Sequence, residues 1–123
     1  MKADLSNGEW VLMKALWESA PMTITQLTAA MKDVTGWSKH TIISMLSRLE
    51  NKGVVRYESN GRAKLFFPVL RQEDAIRQET RNFLEKVFDG RLGVMLNTMM
   101  NSRQLTPEDL KELAEIFEKT KEE

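Results

Sequence analysis

The feature that most limits the fold of this 123-residue chain is a β-hairpin signal that follows three helical segments. The runs "VVRYE" and "AKLFF" are rich in β-branched and aromatic residues, and Asn60-Gly61 lies between them. Because both residues of an Asn-Gly pair tolerate positive φ angles, this dipeptide predicts a tight turn between two strands. Arg62 and Lys64 come directly after it, so the predicted hairpin carries two cations near its tip.

Three segments before the hairpin have helical periodicity. "SNGEWVLMKALWESA" begins with Ser6 and Glu9 at capping-box spacing and predicts a helix over about residues 7–19. "TITQLTAAMKDVTG" predicts a shorter second helix, and "WSKHTIISMLSRLENKG" predicts a third, with Ser38 as N-cap and Gly53 as its stop. Three helices followed by a two-stranded hairpin is the order of a winged helix-turn-helix, in which the hairpin is the wing.

The chain after Pro68 is helical, with three amphipathic segments. Three such helices in about 50 residues cannot bury their apolar faces well on their own. We therefore predict that they dimerise through apolar residues that lack partners within one chain: Phe83, Val87, Leu92, Met95, Met99, Leu113 and Phe117. The predicted fold class is mainly α with a small β-hairpin, divided into a winged-helix domain over residues 1–70 and a helical dimerisation domain over residues 71–123.

Composition excludes several classes of function. The chain has no cysteine, which excludes thiolate sites, and its single histidine, His40, leaves little room for a zinc site or a Ser-His-Asp triad. It also lacks a Gly-rich phosphate loop, so we expect no enzyme, no metal and no cofactor. No apolar run approaches the roughly 18 residues of a membrane span and no signal-peptide core is seen, which predicts a cytoplasmic protein without membrane insertion.

Charge is distributed unevenly, although the formal net charge is zero. Residues 1–70 hold nine Lys or Arg against six Asp or Glu, whereas residues 71–123 hold nine against twelve. Residues 38–64 alone contain six cations and only two carboxylates. A local basic patch of this kind is typical of a protein that binds a polyanion.

The third helix has an unusual polar face. Its apolar residues, Ile42, Met45, Leu46 and Leu49, share one side at 100° per residue. The opposite side holds small hydroxyls, an amide, one cation and an isoleucine, all suited to the floor of a DNA major groove: His40, Ile43, Ser44, Ser47, Arg48 and Asn51. The alternative, which composition leaves open, is an ordinary solvated helix face.

The wing favours the DNA-binding interpretation. Alternation along the second strand predicts that Arg62 and Lys64 point away from the core while Leu65 and Phe67 point inward. In a winged helix the hairpin tip lies beside the recognition helix, so both cations are candidates for phosphate contacts. The alternative is a charged edge that discourages aggregation between strands.

The sequence resembles the BlaI/MecI penicillinase-repressor family, which includes CopY-type members. The resemblance covers nearly the whole chain: "SNGEWVLMKALW" is similar to the family's first helix, "WSKHTIISMLSRLENKG" to its recognition segment and "NGRAKLFFP" to its Gly-Arg wing. "FDGRLGVMLNTMMNSRQLTPEDLKEL" resembles its dimerisation helices.

This resemblance implies a homodimeric transcriptional repressor that binds an inverted-repeat operator in double-stranded DNA through a recognition helix (about residues 38–52) and a wing (58–68). The DNA contacts that it implies are Lys39, Thr41, Ser44, Arg48 and Arg62. The chain departs from the family pattern at Lys39, where proline is common, at Phe66, where a wing tyrosine is usual, and in having no cysteine cluster for copper.

The resemblance also implies a route to induction, in which a membrane-bound sensor metallopeptidase leads to cleavage of the dimerisation domain. The family's cleaved bond corresponds to Asn97-Thr98, and this chain has Thr98 where the family has phenylalanine. The alternative is that "VMLNTMM" is only a Met-rich stripe of the dimer core. The operator, the regulated genes and the inducing signal cannot be read from the residues. The competing function is a winged-helix adaptor that binds only protein, for which no basic clustering on the third helix and wing is expected.

Overall fold

The computed structural model describes residues 4–121 and contains six helices and one hairpin in the predicted order. The elements are α1 (Asn7–Ser19), α2 (Ile24–Met31), α3 (Lys39–Asn51), β1 (Val55–Asn60), β2 (Ala63–Pro68), α4 (Gln72–Phe88), α5 (Leu92–Asn101) and α6 (Pro107–Lys121). The chain divides into two compact units, residues 1–78 and 79–123. The domain boundary that we placed after residue 70 stays a prediction.

The first unit is built from capped helices around one apolar core. Capping boxes open α1 and α2, where Ser6 pairs with Glu9 and Thr23 pairs with Gln26. The core joins α1, α2, α3, both strands and the start of α4, and its fully buried members include Leu12, Met13, Leu16, Leu27, Ile42, Leu49 and Val54. Trp10 and Trp17 of α1 pack against this core, with their rings edge to face and 5.6 Å between ring centres.

The hairpin pairs antiparallel from Val55↔Pro68 to Asn60↔Ala63. The loop is therefore Gly61-Arg62, and the predicted turn at Asn60-Gly61 is wrong by one residue. Gly61 has a φ of 66°, whereas Asn60 and Arg62 have no positive φ. Only the first loop position needs glycine, as in a type II′ turn, so Asn60 can stay in the strand.

The predicted orientation of β2, with Leu65 and Phe67 pointing inward and Lys64 on the opposite face, is also wrong. Lys64 is exposed, but it lies on the same face as Phe66. Phe66 is the buried residue of β2 at 5% exposure, and Leu65 and Phe67 are half-buried on the other face. The reason is a third backbone partner: Met22, between α1 and α2, exchanges hydrogen bonds with Phe66 at 2.9 and 3.2 Å. This bridge holds Phe66 against the core.

The second unit contains the end of α4 together with α5 and α6. None of the described residues from 79 to 121 is buried. Large apolar side chains stay about half exposed along its helices, among them Phe83, Val87, Leu92 and Phe117 at 49–53%. A helical unit without a buried side chain lacks the core that normally stabilises a domain.

Within residues 4–121, no helix has both the length and the apolar character needed to cross a membrane.

Candidate nucleic-acid interface

Helix α3 is fixed to the first unit by its apolar side and by both of its ends. Ile42, Met45, Leu46 and Leu49 are at most 4% exposed. At the N-terminus, Ser38 Oγ accepts the Thr41 N–H at 3.2 Å. At the C-terminus, Gly53 has a φ of 75°, and beyond it the Val54 N–H donates to the Leu49 carbonyl at 3.1 Å. The helix therefore presents a defined outer face.

The outer face of α3 consists of the residues that the sequence pattern placed there. All six are exposed: His40, Ile43, Ser44, Ser47, Arg48 and Asn51. Lys39, at the first turn, is exposed as well. Thr41 is half-buried and lies 3.2 Å from the Ser38 hydroxyl, which places it at the helix cap on the edge of this face.

The six cations of residues 38–64 fall into two groups. Lys52 is paired with Glu9 at 2.6 Å and Arg56 with Glu58 at 3.0 Å, so the charge of both is balanced within the unit. Within residues 4–121, no ion pair engages the other four: Lys39, Arg48, Arg62 and Lys64. These unpaired cations lie on α3 and at the hairpin tip.

The hairpin orients its cations by contacts with aromatic rings. Lys64 Nζ lies 4.2 Å from the centre of the Tyr57 ring, and Tyr57 in turn contacts Phe66 at 5.7 Å between ring centres. Arg56 lies over Phe67 at 4.2 Å on the other face. Tyr57 was not identified from the sequence as a partner of Lys64. The strand register could have shown it, because Tyr57 lies opposite Phe66 and is therefore the diagonal neighbour of Lys64 on the same face. Arg62, in the loop, is exposed and projects from the tip.

A buried ion pair lies behind the interface, at the end of α3. The carboxyl of Glu9 is buried, and its Oε1 accepts from Lys52 Nζ at 2.6 Å and from the Ser6 N–H at 2.8 Å. Burial alone raises the pKa of Glu9, but the hydrogen bonds from Lys52 and Ser6 outweigh it and hold this pKa below its ordinary value. Sequence reasoning identified Glu9 only as a cap and missed the pair, because its partner is 43 residues away.

The residues that we predicted to dimerise all lie on the second unit's surface and are exposed or half-buried. Part of this surface is an apolar groove of about 410 Å³ between α5 and α6. Its apolar lining consists of Met95, Leu96, Met99, Leu105, Leu113 and Ile116.

The candidate cleavage site lies in the middle of α5. Asn97 and Thr98 are exposed, and Thr98 Oγ1 donates to the Val94 carbonyl at 2.8 Å within the helix. No side chain caps the N-terminus of this ten-residue helix at Arg91.

Comparison with known proteins defines the family. The sequence profile of the penicillinase repressors matches residues 5–119. The chain belongs to the penicillinase repressor family. The predicted resemblance is thereby confirmed, and with it the expectation that the protein is not an enzyme, since the family is one of transcriptional repressors.

Two relatives align along almost the whole chain. The penicillinase repressor of Bacillus licheniformis is 28% identical over 117 residues, which is 95% of this chain and 91% of the relative. The methicillin resistance regulatory protein MecI of Staphylococcus aureus strain N315 is 21% identical over 116 residues, or 94% of either chain.

Two solved structures match the first unit of this family member. The DNA-binding domain of the repressor BlaI in solution has a TM-score of 0.54 at 28% identity, covering 60% of this chain and 93% of that one. Monomeric B. licheniformis BlaI in complex with the blaP half-operator has a TM-score of 0.52 at 26% identity, covering 58% and 88%. The predicted fold class, helical with a winged helix-turn-helix, is confirmed.

Proposed function

We propose that this protein is a homodimeric transcriptional repressor that binds an inverted-repeat operator, with α3 in the major groove and the hairpin on the adjacent backbone. The observation that carries this proposal is that cations without a carboxylate partner lie on α3, which has a polar outer face, and on the hairpin. Of the six cations in residues 38–64, four have no carboxylate partner in the described chain, and all four belong to α3 or the hairpin: Lys39, Arg48, Arg62 and Lys64.

Each exposed group has a matching contact on DNA. Ser44, Ser47 and Asn51 can form hydrogen bonds with base edges, and Ile43 can contact a thymine methyl group. Arg48 can reach guanine or phosphate, whereas Lys39, His40, Arg62 and Lys64 suit phosphate oxygens. Thr41 completes the set of residues that we assign to the interface. The half-operator complex of BlaI, whose fold matches the first unit, supports this assignment.

The second unit supports the homodimer. No described side chain from residue 79 to 121 is buried, so a partner surface is needed to cover this apolar face. A second copy with two-fold symmetry would bring two recognition helices to two half-sites of opposite orientation. The residues that we assign to this contact are Phe83, Val87, Leu92, Met95, Met99, Leu113 and Phe117. Action on an operator would place the protein in the cytoplasm.

Binding-site selection tests the function directly. The full-length protein is incubated with a random duplex library, and bound duplexes are amplified and sequenced over several rounds. We expect an inverted repeat to emerge, and we expect binding to it to weaken steeply with salt because each phosphate contact releases counterions. Failure to enrich any sequence, with a protein that is folded and dimeric by sedimentation, would instead favour the protein-binding adaptor.

We also propose that cleavage at Asn97-Thr98 releases the operator, with a membrane-bound sensor metallopeptidase as the upstream partner. Exposure of both residues and the weak N-terminal cap of α5 favour local opening of this helix. Cleavage would separate α6 from the rest of the dimerisation unit and remove the avidity of two linked half-sites.

This proposal is tested by immunoblotting the protein in its own cells during induction. A Thr98→Pro variant that still dimerises serves for comparison. Persistence of the full-length wild-type chain while the target genes are transcribed would exclude proteolytic release.

A further inference from the structure

We propose that Glu9 is a positioning residue for DNA recognition, because it holds the C-terminal end of the recognition helix α3 through Lys52. This inference rests on the proposed DNA-binding function. It assigns no DNA contact to Glu9 or Lys52, and it treats their pair as the anchor that fixes where the exposed face of α3 lies.

The geometry of the anchor involves two chain segments that are distant in sequence. Lys52 is the C-cap of α3, directly after Asn51. Its ammonium donates to Glu9 Oε1 at 2.6 Å and to the carbonyl of Asp4 at 2.8 Å. The same Glu9 oxygen accepts the Ser6 N–H at 2.8 Å. One ammonium thus joins the end of the recognition helix to the cap and first turn of α1.

Burial distinguishes this pair from the other ion pairs of the molecule. The Glu9 side chain is 2% exposed, and its second oxygen, Oε2, has no hydrogen-bond partner within residues 4–121. A buried carboxylate that loses its cation is strongly destabilised, so the position of Lys52 is tightly constrained. The Arg56–Glu58 pair, by contrast, has both side chains more than half exposed, and such pairs constrain little.

A second contact joins the same turn of α1 to the middle of α3. A methyl group added at Gly8 would lie 2.8 Å from Met45 Cε and 3.4 Å from the Trp37 ring, so a side chain there would have to displace the end of Met45. The first turn of α1 therefore contacts α3 at two points along its length, once by close apolar packing and once by the ion pair. Two points on one helix limit its tilt as well as its axial position.

This constraint matters for specificity more than for overall affinity. Hydrogen bonds to base edges need a narrow range of distance and angle, and they weaken steeply when the donor moves out of line with its acceptor. Attraction between cations and phosphates decreases only gradually with distance. A recognition helix that pivots at its C-terminus would displace Arg48 and Asn51 from the bases while the nonspecific attraction persists. Loss of the anchor should thus reduce discrimination between operator and random DNA.

The decisive variant is full-length Glu9→Gln. Glutamine keeps the size of the side chain and an oxygen that can accept the Ser6 N–H, while Lys52, at 38% exposure, stays hydrated. The probes are the inverted-repeat duplex selected by the wild type and a random duplex of equal length. We expect about a tenfold loss on the selected duplex, the size of one lost base contact, and less than about a threefold change on the random duplex.

The loss of a negative charge should by itself change DNA affinity in the opposite direction from the loss of the anchor, so the two effects can be distinguished. Removal of a carboxylate makes the protein more positive, so charge alone would strengthen binding to both duplexes. Glu50→Gln is the matched control, because Glu50 is an exposed carboxylate on α3 without an ion pair in the described chain. It should strengthen binding to both duplexes without changing their ratio.

Two further variants separate positioning from stability. Lys52→Arg keeps the cation and should keep the discrimination ratio within about threefold of the wild type, since a guanidinium can reach both carboxylate oxygens. The double variant Glu9→Gln/Lys52→Met buries no charge and should fold well, but it lacks the link and should lose discrimination about as far as Glu9→Gln. A double variant that discriminates like the wild type would overturn the inference.

Hydrogen exchange in the free protein provides a readout that does not involve DNA. The Gly53 and Val54 amides donate to Glu50 and Leu49 across the end of α3. Both should exchange faster in Glu9→Gln and at the wild-type rate in Glu50→Gln.

If Glu9→Gln leaves both the exchange of the Gly53 and Val54 amides and the discrimination between selected and random duplexes unchanged, the positioning role is refuted. The proposed function would then stay intact. A wild type that prefers no sequence would overturn the proposed function and, with it, the role in DNA recognition. Faster exchange in Glu9→Gln would then show that the pair anchors α3 for another purpose.

Discussion

Trp17 donates its indole N–H to the carbonyl of Leu70 at 2.8 Å, which ties the segment after the wing to helix α1. Leu70 is 2% exposed and Ala75, in the first turn of α4, is 3% exposed. The core of the first unit therefore extends beyond the hairpin and includes the start of α4. A domain boundary in this region has to be drawn with these buried residues in mind.

The first prediction concerns truncation of the chain. A fragment that ends at Gln78 should fold as a monomer with a cooperative thermal transition. A fragment that ends at Val69 should be much less stable, because it lacks the buried Leu70 and Ala75 and the acceptor of Trp17. The lost leucine alone is worth about 2 to 3 kcal/mol. Circular dichroism melting compares the two fragments, and equal midpoints would contradict the prediction.

The second prediction concerns the wing. Arg62→Ala should weaken binding to selected and random duplexes by similar factors and reduce the slope of log K against log salt by about 1, as expected for one lost phosphate contact. Arg56→Ala is the matched control on the same hairpin, since Glu58 already balances its charge. Fluorescence anisotropy across a salt series measures both variants. Equal slopes for Arg62→Ala and the wild type would exclude a phosphate contact.

The third prediction concerns base recognition by α3. Ser44→Ala should cost about 1 to 3 kcal/mol on the selected duplex and little on random DNA, because a base-edge hydrogen bond is lost while the charge is unchanged. Thr25→Ala on α2 serves as control, being an exposed hydroxyl outside α3 and the hairpin. Competition assays with single-base variants of the duplex should locate the affected position. A uniform loss on every duplex would indicate that Ser44 contacts only the backbone.

The fourth prediction concerns the dimer. Phe117→Gln should shift the protein toward monomer in sedimentation velocity, because Phe117 is 53% exposed and lies on a unit without a buried side chain in its described part. Lys119→Gln, on the same helix, introduces the same residue without removing apolar surface and should leave the dimer intact. An unshifted Phe117→Gln dimer would move the proposed interface to another face of the unit.

Local signals allowed most of the fold to be predicted from sequence. Capping residues such as Ser6 and Ser38 and stops such as Gly53 depend on neighbours within a few positions, and the helices begin and end where these residues indicate. The inward face of β2 was predicted wrongly because Phe66 owes its burial to Met22, which is 44 positions away. The outer face of α3 was predictable because one apolar stripe fixes the whole helix.

The pairing of charges was not predictable in the same way. Six cations in residues 38–64 look alike in sequence, yet Lys52 is engaged by Glu9 and Arg56 by Glu58. The first of these pairs depends on the packing of α1 against the end of α3, which no local pattern encodes. Only the structure distinguishes the four cations of this segment that have no carboxylate partner in the described chain from the two that are paired with carboxylates.

The fifth prediction concerns pH and the Glu9–Lys52 pair. The pKa of Glu9 is lower in the folded protein than its ordinary value of 4.5. The unfolded state therefore binds the proton more tightly, and the ionised carboxylate stabilises the fold above about pH 4.5. This stabilisation is lost as the pH falls through the lower, folded value. Glu9→Gln has no such group, so at neutral pH it should be about 2 kcal/mol less stable, as for one charged hydrogen bond.

The difference in the free energy of unfolding between wild type and Glu9→Gln should shrink as the pH decreases from 5 toward 3. Asp74, whose pKa is lowered by its hydrogen bond from Arg71, titrates in both proteins and cancels in the comparison. Urea denaturation at closely spaced pH values measures the difference. If the difference in the free energy of unfolding stays constant down to pH 3, the charge of the Glu9 carboxylate does not contribute to the stability of the folded protein.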